Sequence, residues 1–250
     1  MRKEALYILL AFMLVVIFGA CHQSHKKELD LAYALVESNP DSALVFLSHI
    51  NQDKLSEEEM AKYALVYYMA QDKTGKDVDN DSLIRIAYDW YEKCQDDSLY
   101  ARSMYYMGKY FMLNDSVEQA KVCLEKSYHL ANETGDVYLV SLSLDKLVRI
   151  EGDLNPQKAL VLARELVELY DKQFLLPLRN KVYARLRLST SLMCVDSFAS
   201  ALNENFKALN DAKMLNDKEI MSDVYQDLAF VYGELGKKDS SLYYAKIANT

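Results

Sequence analysis

The sequence predicts an all-α protein, a superhelical solenoid of antiparallel helix hairpins, on three observations. Seven glycines and three prolines in 250 residues fall well below average usage, which favours long helices and short turns over strands or linkers. A small residue followed by an apolar or long one recurs at Ala43-Leu44, Ser82-Leu83, Ala120-Lys121, Ala159-Leu160, Ala201-Leu202 and Ser241-Leu242, with spacings of 39, 38, 39, 42 and 40 residues. A fixed period in this range marks a solenoid, in which each hairpin buries its apolar face against the next. Helix-start signals agree with that period: Ser56 with Glu59 and Ser116 with Gln119 fit a capping box, and Pro156 follows Asn155 where a first helical residue tolerates a missing N–H. Asp41, Asp81 and Asp239 read as further caps.

In chain order, Arg2 and Lys3 precede an apolar run from Ala5 to Phe18, followed by Gly19-Ala20 and then a polar stretch from His22. That order of basic end, apolar middle and small residues is a signal peptide over residues 1–20. The run is shorter than the roughly 20 apolar residues a membrane span needs. Phe18-Gly19-Ala20-Cys21 resembles the lipobox of bacterial lipoproteins, with Phe18 where Leu is usual. The resemblance implies lipidation of Cys21, a tether over 21–28 and a repeat domain over 29–250. It further implies an outer-membrane lipoprotein of the cell envelope facing the periplasm.

Within the repeat domain, Met69-Ala70 stands upstream of Ser82 as the first-helix packing pair. The segment from Met104 shows the unit best, with Met107-Gly108, Phe111, Ala120, Leu124 and Ser127; Leu188-Ser189, Leu192, Ala201 and Ala208 repeat it, as do Leu228-Ala229, Tyr232, Gly236, Ser241 and Ala248. Gly108, Ser189 and Ala229 are small because two helices cross there. The unit around Ala159 carries Leu147-Val148 and an altered turn at Glu151-Gly152-Asp153-Leu154. These offsets resemble the packing positions of tetratricopeptide repeats over residues 29–250, with a period near 40 where 34 is usual. The chain is similar to long-repeat lipoproteins of Gram-negative gut-type bacteria, some of which continue into a membrane segment and a signalling region. No polar terminal helix follows the last unit, so the expectation is a piece of a longer chain or a partner covering that end.

Composition and motifs argue against several functions. A formal charge of −8 and a pI near 5.1 disfavour a nucleic-acid backbone or an anionic membrane surface as the main partner. Cys94, Cys123 and Cys194 are an odd, widely spaced set on apolar helix faces, read as buried and inert thiols. The sequence lacks HExxH, GxSxG, P-loop and dinucleotide fingerprints, and its four histidines are scattered. Asp77-Val78-Asp79-Asn80-Asp81 begins like a calcium loop but lacks the turn Gly and the closing Glu. A solvated turn with Asp81 capping a helix is the preferred reading there. Cys123 and His129, six residues apart, do not share a helical face. The expectation is a non-enzymatic protein with no catalytic residues, cofactor or metal.

Nineteen tyrosines, many in pairs such as Tyr67-Tyr68, Tyr105-Tyr106 and Tyr243-Tyr244, serve mainly as filling between layers. The tetratricopeptide resemblance implies that the first-helix residues Tyr67, Gln71, Arg102, Tyr105, Lys109, Tyr183, Thr190, Asp223, Gln226 and Phe230 line a concave groove. Rigid aromatics beside polar groups suit capture of a protein or peptide, the expected partner. The Lys and Asn pattern of the chaperone-tail-binding proteins is missing. Two alternatives stand beside this reading: the extracytoplasmic sensory input of a signalling protein, and a helical carbohydrate-binding or nutrient-uptake lipoprotein.

Overall fold

The computed structural model describes residues 24–76 and 80–249. The signal peptide, Cys21 and the carboxylates Asp77 and Asp79 lie outside the described residues. Within the described residues there are twelve α-helices and no strand. The chain divides between Gln95 and Asp96 into two compact units.

The first unit holds α1 (Lys26–Leu35), α2 (Pro40–Ser48), a 3-10 turn (Gln52–Lys54), α3 (Glu57–Lys73) and α4 (Ser82–Cys94). Asn39, not Asp41, caps α2, its side chain accepting the Ser42 N–H at 3.1 Å with Pro40 in the first turn. Ser56 and Glu59 form the expected capping box on α3. Glu59 also accepts Ser24 Oγ–H at 2.9 Å and the His25 N–H at 2.8 Å, so one carboxylate joins the starts of α1 and α3. Burial opposes its ionisation, but the hydrogen bonds from Ser56, Ser24 and His25 win and hold it below the usual carboxylate range. At α4, Asp81 occupies the cap position without a capping bond, and Asn80 instead accepts the Ser82 N–H at 2.7 Å.

The second unit stacks four hairpins: α5 (Asp97–Leu113) with α6 (Val117–Thr134), α7 (Val137–Leu154) with α8 (Pro156–Lys172), α9 (Leu178–Met193) with α10 (Phe198–Leu215), and α11 (Lys218–Glu234) with α12 (Lys238–Ala248). The landmarks of the repeat take one structural place. Ala43, Ala120, Ala159, Ala201 and Ser241 are each the fourth residue of a second helix, and the four alanines are fully buried. Ser82 breaks this register, as the exposed first residue of α4, where Ile84, Ala87 and Tyr91 are buried instead. Gly108, Val148, Ser189 and Ala229 are each the twelfth residue of a first helix. At Gly108 a Cβ would stand 2.7 Å from Leu124 Cγ, so the α5–α6 crossing admits no side chain.

Several local expectations are corrected here. Ser116 precedes α6 without a side-chain cap bond, and Asp239 lies inside the first turn of α12, whose cap position is Lys237. Glu151 to Leu154 are the last turn of α7, not a turn between helices, and Asn155 both ends α7 and caps α8 by accepting the Lys158 N–H at 3.1 Å. The chain folds so because Lys121 and Lys158 ion-pair the buried Glu151 at 2.7 and 2.8 Å, making a helical position out of an apparent turn residue. Cys123 is buried, but Cys94 and Cys194 are exposed.

Candidate functional site

In the second unit α5 touches α7, α7 touches α9 and α9 touches α11, so the first helices form one layer. Between Ala184 and Leu192, α9 carries two arginines, Arg185 and Arg187, among leucines and small hydroxyl residues. The two point to different chemistry. Arg185 is buried and donates to Asp211 (3.0 Å), Glu204 (2.9 Å) and Asp171 (2.7 Å), which fastens α9 to α8 and α10. Arg187 is partly open, and its Nε donates to Asp145 Oδ1 of α7 at 3.2 Å. Its two terminal nitrogens have no hydrogen-bond partner among the described residues.

Arg187 forms the wall shared by two hollows. One, of about 310 Å3, is lined by Ser141, Asp145, Lys146, Tyr170, Asn180 and Tyr183. The other, of about 240 Å3, is lined by Arg149, Gly152, Asp153, Thr190 and Cys194. On α11, Asp223 accepts the Tyr183 hydroxyl at 2.9 Å. One turn further along lies Asp227, whose carboxyl burial pushes up to about 6, with Arg187 opposing and Asp223 adding to the rise. Asp145 moves the other way: burial disfavours its charge, but Lys146 and Arg187 hold it below the usual range. The layer thus presents one ionised pair with unused donors next to a carboxyl that gains a proton readily. It supplies hydrogen-bond donors and acceptors in a half-sheltered trough, an arrangement suited to holding a polar backbone. Among the described residues no group of three His, Cys, Asp or Glu stands where it could hold a metal ion.

No family model matches the chain, and no curated protein matches it in sequence. Solved structures do match its fold. A Rap protein complexed with competence and sporulation factor superposes with a TM-score of 0.67 at 16% identity, over 91% of this chain and 65% of that one. This chain therefore spans just under two thirds of that protein's length. NprR in complex with its cognate peptide NprX gives 0.64 at 17% identity, over 90% and 67% of the two chains. BtubC from P. vanneervenii gives 0.65 at 15% identity, over 91% and 90%. The fold is tetratricopeptide-like.

In this tetratricopeptide-like fold eight of the ten residues expected to line a groove lie in the second unit, in different surroundings. Tyr183 and Thr190 reach the two hollows, and Asp223 is the partner of Tyr183. Arg102 instead ion-pairs Asp136, the cap of α7. Tyr105 is 2% exposed and belongs to the core, with its ring edge-on to Tyr106 at 5.0 Å. Lys109 is half-buried, while Gln226 and Phe230 are exposed on α11. Tyr67 and Gln71 lie in the first unit, joined by a 2.8 Å hydrogen bond from the amide to the phenol oxygen. Sequence reasoning missed Arg187, Asp145, Lys146, Asn180 and Asp227. A usable signal was present: Tyr183, Arg187 and Thr190 stand at i, i+4 and i+7 on one helical face.

Proposed function

We propose that this chain is a non-enzymatic protein- or peptide-binding scaffold, anchored in the cell envelope through a lipid on Cys21. The observation that carries the binding role is Arg187, which lines both hollows of the first-helix layer and whose terminal nitrogens have no hydrogen-bond partner among the described residues. A guanidinium in that state donates charge-assisted hydrogen bonds to a ligand carbonyl or carboxylate without breaking its pair with Asp145. The Rap and NprR structures, each a complex with a named factor or peptide, support a peptide as the ligand. The lipobox-like Phe18-Gly19-Ala20-Cys21 and the signal peptide before it support the anchor and a periplasm-facing place at the outer membrane.

The test is selection of random short peptides displayed against the full-length chain, repeated with Arg187→Gln. Enriched peptides should bind the parent at least about tenfold more tightly than the variant, the loss of one charge-assisted contact, with both proteins folded at the assay temperature. Absence of enrichment, or equal binding by parent and variant, would overturn the reading.

A further inference from the structure

The connection between α8 and α9, residues 173–177, is the longest in the second unit and falls within the 42-residue spacing. It is an ordered β-turn, closed by the Leu176 N–H donating to the Gln173 carbonyl at 3.2 Å. The two central positions, where Pro, Gly, Asn or Asp usually stand, hold Phe174 and Leu175, which are 95% and 100% exposed. The turn presents two large apolar side chains to water and packs neither.

The first unit carries a hollow of complementary kind. Leu55, Met60, Ile86 and Trp90 line an open cavity of about 430 Å3 between the start of α3 and α4, whose charged lining is Glu57, Asp89 and Lys93, the lysine lying 6.0 Å from the Trp90 ring centroid. Neither carboxylate has an ion-pair partner among the described residues. The turn follows directly on Lys172, whose pairing with Glu168 is an exposed one-turn contact between side chains 67% and 64% accessible, weak in water and easily exchanged. The same chain thus carries an apolar knob beside a cation and an apolar hollow whose two carboxylates have no ion-pair partner among the described residues, the one lysine of its lining being turned to Trp90.

We propose that the Phe174–Leu175 turn of one copy seats in the Leu55, Met60, Ile86 and Trp90 hollow of a second copy, with Lys172 facing Glu57 and Asp89. Knob and hollow are different surfaces, so each contact joins unlike patches of the two copies. Its small footprint places it among weak, transient interfaces. The proposal is independent of any ligand at Arg187.

The test uses two differently tagged full-length copies expressed together. The donor carries a benzophenone amino acid in place of Phe174 and is photolysed in the cell. The expected product is an adduct of donor with acceptor, mapping by mass spectrometry to the segments around Met60 and Trp90. Ile86→Asp in the acceptor should lower the yield at least about tenfold. The same substitution placed in the donor, whose hollow is not read, should leave the yield unchanged, and the helical circular-dichroism signal of the variant should match the parent's. Lys172→Glu in the donor should weaken the adduct and Glu57→Lys in the acceptor restore it. Adducts to lipid, to a different protein or to another surface of the acceptor would overturn the proposal, as would the absence of any adduct or an equal effect of Ile86→Asp in either copy.

Discussion

Asp227 shows how one side chain ties the first-helix layer to pH. Its folded carboxyl titrates at about 6, against about 3.9 for an unfolded aspartate. A raised carboxyl favours folding in its protonated form, so its contribution is complete below about pH 4 and is lost as pH rises through about 6. The gap between those two values corresponds to about 3 kcal/mol at most, and solvent access at this half-buried position reduces that to the order of 1–2 kcal/mol. Asp227→Asn should therefore raise stability at pH 7 by that order, with the difference from the parent closing below about pH 4. Denaturant midpoints measured between acid and mildly alkaline pH check this, and a pH-independent difference would refute the assignment. The depressed Asp145 works in the opposite sense, losing its contribution as pH falls. It is common to parent and variant and cancels in the comparison.

At the scale of helices, Arg185 is what joins α9 to its neighbours by charge. Its guanidinium meets carboxylates from α8 and α10 at 2.7–3.0 Å, and burial, which would lower its affinity for a proton, is outweighed by Asp211, Asp171 and Glu204. Replacing one partner of such a cluster leaves uncompensated charge, at a cost of about 3–5 kcal/mol. Arg185→Met should lose about that much, measured by urea unfolding, whereas a loss below about 1 kcal/mol would mean the cluster is solvated. The elements were largely legible in the sequence because the fourth residue of a second helix must be small to pack, and Ala120, Ala159 and Ala201 announce that. Caps were less legible, since Asn39 and Asn80 outcompete the neighbouring Asp41 and Asp81 for the free N–H groups. The site was least legible of all. Arg185 and Arg187 look equivalent in sequence, and only the carboxylates supplied by distant helices make one structural and leave the other with open donors.

At the scale of the whole molecule, two compact units built of hairpins that each touch their neighbours make stability a sum of local terms rather than one cooperative quantity. Gly108 offers the means to test this. A methyl added there meets Leu124 Cγ at 2.7 Å and Cδ2 at 3.0 Å, and Leu124 is fully buried, so it has nowhere to turn. The backbone carbonyl of Ala120, at 3.3 Å, closes the other side. Overpacking of this kind costs about 1–3 kcal/mol, partly offset by the roughly 1 kcal/mol that alanine gains over glycine within a helix. Gly108→Ala should thus weaken α5 and α6 by a net of up to about 2 kcal/mol, which raises amide exchange there by up to about thirtyfold. In a nearest-neighbour solenoid the effect fades through α7 and leaves α3 of the first unit at its parental protection. If exchange in α3 accelerated as much as in α5, the units would unfold together, and the description of this chain as locally stabilised hairpins would fail.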